Sequence, residues 1–161
     1  VIGYLNKWVP LSTSRRDGVD AAIADLSEFV TDVLPHSYDG IGQIKPSVVE
    51  DRYEVKNVIK RGRTTKVTTG AVSAFEVDGV RVGYGGGKVI TFDGLVEFLS
   101  HKPAEIPFGL PGDSGSVIFC AETLRPYALL FAGGRDHRGY DRTLANFMPD
   151  VMNKLEVRWA K

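Results

Sequence analysis

Short runs of β-branched and aromatic residues, cut by glycine, set the texture of this chain. That pattern belongs to strands joined by tight turns. Residues 55–60 read as a strand that turns at Arg61-Gly62. Residues 66–77 are rich in Thr and Val and carry Gly70, which predicts a bend or bulge. Asp78-Gly79, between Phe75-Glu76-Val77 and Val80-Arg81-Val82, predicts a hairpin. Gly85-Gly86-Gly87 marks another turn before a strand at 88–92, and residues 94–99 predict a further one. Residues 116–120 and 127–131 are nearly unbroken apolar runs, as expected for strands covered on both faces.

Two segments read differently. Val19, Ala22, Ile23, Leu26, Phe29 and Val30 recur at helical spacing, so periodicity alone makes 19–30 a helix. Met148, Val151, Met152 and Leu155 form a second stripe of that kind. There Pro149 stands near the start, where a missing N–H does no harm. No internal repeat, linker or low-complexity tract interrupts the sequence.

Composition narrows the function classes. The 161 residues carry 20 Lys+Arg against 20 Asp+Glu, so no global field attracts nucleic acid or an anionic membrane. The basic run Lys60-Arg61-Gly62-Arg63 reads as a solvated turn. Cys120 is the only cysteine. No internal disulfide is therefore possible, and a reducing, cytoplasmic setting is favoured. No apolar stretch approaches the ~20 residues of a membrane span. Residues 83–88 lack the Walker A spacing, and one cysteine with three scattered histidines makes no metal cluster. No metal and no cofactor are expected.

The chemistry concentrates at Gly112-Asp113-Ser114-Gly115-Ser116. A serine nucleophile needs an exposed Oγ, a sharp turn and N–H groups aimed at the developing oxyanion. The glycines permit that turn, and the N–H groups of Gly112 and Ser114 can converge on one point. Pro111 fixes the chain before the loop, and Val117-Ile118-Phe119 anchors it afterwards. A Gly/Ser/Asp surface turn is the plainer alternative. The spacing is not the Gly-x-Ser-x-Gly elbow of α/β-hydrolases, because the second glycine falls one residue early.

This loop resembles the nucleophile loop of trypsin-like, chymotrypsin-fold serine peptidases of the bacterial type. Four other segments agree in order. Val19-Asp20-Ala21-Ala22-Ile23-Ala24 resembles the strand bearing the triad aspartate, which makes the first half of 19–30 a strand. Residues 58–65, with Thr68-Thr69-Gly70, resemble the hairpin opening the second barrel. Leu129-Leu130-Phe131-Ala132-Gly133-Gly134 resembles the strand beside the substrate pocket, and residues 147–157 the terminal helix. The resemblance implies an all-β, chymotrypsin-like double β-barrel. Residues 1–44 would be the end of the first barrel and the connection, and 45–161 a complete second barrel with a C-terminal helix.

The same resemblance implies roles. Ser114 is the nucleophile, the Gly112 and Ser114 amides form the oxyanion hole, and Asp113 braces the loop by an ion pair or hydrogen bond. Asp20 orients a histidine and stabilises the imidazolium; as a plain residue, it reads equally as a turn or cap. Phe108 stands at the pocket base, with Gly133 and Gly134 leaving one wall open. Basic specificity is disfavoured there, and a small or apolar residue before the scissile bond is expected. Lys66 departs from the pattern, where a glycine is usual.

The largest departure is the base. The family order is His, Asp, Ser, yet His36, His101 and His137 all follow Asp20 and read as surface residues. The expectation is that the histidine lies on a segment upstream of Val1, lost or docked as a separate fragment. Val1-Ile2-Gly3 as an activated N-terminus paired to Asp113 is a weaker alternative. Three functions stay open: a serine endopeptidase acting on peptides or proteins, an inactive peptide-binding module, and a self-processed fragment.

Overall fold

The computed structural model describes residues 3–28, 30, 36–102, 106–135 and 139–159. β1 (Gly3–Trp8), β2 (Arg16–Asp17) and β3 (Ala22–Leu26) come first, then a small ladder of β4 (Ser37–Tyr38) and β5 (Gly42–Gln43). The main body follows as β6 (Asn57–Gly62), β7 (Lys66–Val77), β8 (Val80–Tyr84), β9 (Lys88–Phe92) and β10 (Leu95–Ser100). It ends with β11 (Val117–Cys120), β12 (Pro126–Arg135), β13 (Asp141–Phe147) and helix α1 (Met148–Leu155).

Six of these strands close into a barrel in the order β10-β13-β12-β11-β6-β7. Closure leaves no unpaired edge. Its interior holds Val58, Val96, Phe98, Phe108, Ile118 and Tyr127, all wholly buried. β1 and β3 form a separate two-stranded antiparallel sheet. A third sheet joins the β8–β9 hairpin to β2, which runs parallel to β9.

Strand pairing overrides the helical spacing at residues 19–30. Val19 and Ala21 are buried and Ile23 packs beside them against Val151 and Leu155 of α1. The inward positions thus alternate, and residues 22–26 are the strand β3. Phe29 lies outside the described residues. The stripe at 148–155 is the helix expected, with Met148, Val151 and Leu155 buried and Pro149 in its first turn.

Two turn expectations are corrected. Asp78-Gly79 does not close a hairpin, because β7 already pairs with β6 and β10 while β8 pairs with β9. It is a crossover between sheets, locked by a reciprocal clamp. Gly94 N–H donates to Asp78 Oδ1 and Gly79 N–H donates to Asp93 Oδ1, both at 2.7 Å. The hairpin turn is Gly85–Gly87, one turn later. Gly70 does not interrupt β7, whose register shifts against β10 lie further along, opposite Leu95–Phe98. Its absent side chain makes room instead: a Cβ there would stand 2.8 Å from Phe108 Cδ2.

Candidate active site

The Gly112–Ser116 loop leaves the barrel between Pro111 and β11. Gly112 has φ +100° and Gly115 φ +87°, conformations an L side chain resists. Gly115 N–H donates to Leu130 O at 2.7 Å and Leu130 N–H to Ser116 O at 3.0 Å, which stitches the loop onto β12. Asp113 N–H is taken by Leu110 O and Ser116 N–H by Asp113 O. The N–H groups of Gly112 and Ser114 have no acceptor among the described residues. Ser114 is exposed, and its Oγ donates to Phe131 O at 3.2 Å.

Asp113 is wholly buried beneath this turn. It accepts N–H groups from Thr64 at 2.7 Å, Thr65 at 3.2 Å and Leu110 at 3.1 Å, and the Thr65 hydroxyl at 2.7 Å. Lys60, equally buried, sets its Nζ 3.5 Å away. Burial works against the Asp113 charge, but the Thr65 hydroxyl, the N–H groups of Leu110 and Thr64 and the Lys60 cation prevail, holding the carboxyl down at about 2. Burial pushes Lys60 below its ordinary value, and Asp113 opposes that shift. The partner of Asp113 is thus an internal lysine. Val1 lies outside the described residues. Gly62 is required by this contact, since a Cβ there would run into the carboxylate.

Asp20 sits half-buried just before β3. Its N–H donates to Asn146 Oδ1 at 3.0 Å, and Asn146 Nδ2 donates to Gly18 O at 2.9 Å. Buried Asn146 therefore ties the aspartate segment to β13. The Asp20 carboxylate accepts a hydrogen bond from the Tyr84 hydroxyl. Burial first, then the Asp20 hydrogen bond and charge, push the Tyr84 phenol far above the ordinary tyrosine range.

A cleft of about 350 Å³ opens beside Ser114, with Leu110, Phe131, Ala132, Gly133 and Gly134 on its walls. Its lining is mostly apolar, and Arg135 and Asp141 at its edge are paired at 3.2 Å. Phe108, expected at the base, is displaced from it. It lies in the barrel core, stacked on Phe98 at 5.7 Å in the slot left by Gly70, while Gly109 and Leu130 line the cleft. His36 and His101 make no hydrogen bond with Ser114 or Asp20, and His137 lies outside the described residues.

Sequence reading missed Asn146, Tyr84 and the Lys60–Thr65 contribution to the loop. Only the Thr-Thr pair at the turn hinted at the last. Among the described residues no cluster of His, Cys, Asp and Glu is suited to a metal, and no helix is long and apolar enough to cross a membrane.

No protein-family model matches the sequence, and no curated protein matches it. Solved structures do. Cellulomonas bogoriensis chymotrypsin superposes with a TM-score of 0.62 at 20% identity, over 89% of this chain and 70% of that one. Thermobifida fusca protease A gives 0.63 at 18%, over 89% and 69%. Nocardiopsis protease gives 0.59 at 20%, over 89% and 69%. The chain therefore has the chymotrypsin fold, and these three solved structures are bacterial serine proteases.

Proposed function

We propose that this chain carries the nucleophile and the acid of a serine endopeptidase that hydrolyses peptide bonds through an acyl-enzyme. Ser114 attacks the scissile carbonyl, and the N–H groups of Gly112 and Ser114 receive the oxyanion. Asp113, paired with Lys60, keeps those donors converged. The cleft beside Gly133 and Gly134 takes the residue before the scissile bond. Its apolar walls and already paired ions favour a small or apolar side chain over Lys or Arg.

The carrying observation is the nucleophile loop itself. Two unclaimed N–H groups flank a buried, ion-paired aspartate, beside an exposed serine at the mouth of an apolar cleft. A surface turn has no need of that investment.

In this reading residues 1–44 end a first barrel and 45–161 form the second. The base is a histidine on a segment upstream of Val1, docked against the β1–β3 sheet, and Asp20 orients it. The exposed apolar side chains of that sheet support such docking. Ser114 alone is then a weak nucleophile, because nothing takes its proton. One observation favours a second reading, an inactive peptide-binding module: among the described residues the hydrogen-bond partner of Ser114 Oγ is a backbone carbonyl and that of the Asp20 carboxylate is the Tyr84 hydroxyl, with no histidine at either.

Hydrolysis of an unfolded protein by the chain joined to its upstream segment decides between them. The endopeptidase reading expects cleavage that Ser114→Ala abolishes. Peptide binding without cleavage moves the chain to the second reading. A single cut before Val1, lost in Ser114→Ala, would mark it as a self-processed fragment.

A further inference from the structure

Two of the three cations in the basic run at 60–63 have carboxylate partners among the described residues. Lys60 is paired with Asp113, and Arg61 reaches Asp39 at 2.6 Å. Arg63 is exposed, and its guanidinium has no hydrogen-bond or ion-pair partner among the described residues. It does not stand free in solvent like a turn residue. A Cβ built on Gly112 would lie 2.7 Å from Arg63 Nη2 and 3.3 Å from its Nε, so the guanidinium rests against the face of that glycine.

The approach is built in. Arg63 lies on the β6–β7 turn, which the nucleophile loop holds at several points. Thr64 N–H and Thr65 N–H donate to Asp113, and the Thr64 hydroxyl donates to Pro111 O at 2.9 Å. Lys66 Nζ caps the Arg63 carbonyl at 3.0 Å and adds a second positive charge that has no carboxylate partner among the described residues. The turn that carries Arg63 is thus held against residues 111–113.

We propose that Arg63 is a specificity-determining residue that reads an acidic side chain on the leaving-group side of the scissile bond. The inference rests on the peptidase reading. A bound peptide places its carbonyl carbon at Ser114 Oγ and its oxygen at the N–H groups of Gly112 and Ser114. The side chain before the bond fills the cleft along β12, which Arg63 does not line. The residues after the bond then leave β12 and pass Gly112, where Arg63 stands. A guanidinium presents a planar fork suited to a carboxylate.

The test is fluorescence anisotropy on the Ser114→Ala chain with two labelled peptides. They share small apolar residues before the bond and differ only after it, Glu-Glu against Gln-Gln. The expected result is about fivefold tighter binding of the Glu peptide, shrinking as salt rises. That preference disappears in Arg63→Gln and reverses in Arg63→Glu. Arg63 is exposed, so these variants fold. Equal affinities, or a Glu preference surviving in Arg63→Gln, overturn the inference while leaving the peptidase reading intact. Failure of both peptides to bind removes the reading, and the inference with it.

Discussion

The closed barrel and the β1–β3 sheet carry the two halves of the candidate site under opposite conditions. In the barrel every strand is paired on both sides, and Phe98, Tyr127 and Phe147 pack together in its core. In the two-stranded sheet Tyr4, Leu5, Trp8 and Leu26 are 57–68% exposed. The barrel completes its own core and presents Ser114 on a finished loop. The sheet holds Asp20 at its base yet leaves an apolar face uncovered. In the proposed reading the nucleophile and its oxyanion donors are therefore organised locally, whereas the surroundings of Asp20 are completed by a docked segment.

Substitutions of like kind in the two regions sharpen that contrast. Phe98→Ala in the barrel core is expected to cost about 3–5 kcal/mol by chemical denaturation, as transfer and cavity terms combine. Asp113→Asn is expected to cost a similar ~3–5 kcal/mol, because Lys60 is left buried and unpaired.

Asp113 also sets an acid dependence. Its folded value of about 2 lies below the ordinary 3.8. The stability it supplies is complete above the unfolded value and is lost as pH falls through 3.8 toward 2. A denaturation series across that window is expected to fall in the native chain and to fall less steeply in Asp113→Asn.

Tyr84→Phe removes one hydrogen bond to a half-buried carboxylate and is expected to cost about 1 kcal/mol. Alkaline spectrophotometric titration of that variant should lose one of the late-titrating phenols. Trp8→Ala is expected to change the stability of the chain by no more than ~0.5 kcal/mol. A large loss there would mean that the sheet is already packed, and the contrast with the barrel would fail.

The serine loop was legible because its demands are local. Glycines at the two positive-φ positions and the proline before them stand within a few residues of Ser114. The apolar runs of β11 and β12 were legible for the same reason. β13 was not, because Thr143 and Asn146 are buried polar residues that break its apolar pattern. The role of Asn146 at the Asp20 backbone depends on a contact between distant parts of the chain, to which no local pattern points. Asp78-Gly79 misled for a related reason: its turn chemistry is real, but the partner of β8 is decided by which edges β7 has left. Phe108 went to the core rather than the cleft because Gly70, on another strand, leaves the space.

The central claim is that Ser114 is a nucleophile whose loop is ready and whose base is supplied from upstream. Fluorophosphonate labelling mapped by peptide mass spectrometry tests it most directly. The account predicts modification at Ser114 when the upstream segment is present, little in the chain alone, and none in Ser114→Ala. An unmodified Ser114 in both forms would contradict it.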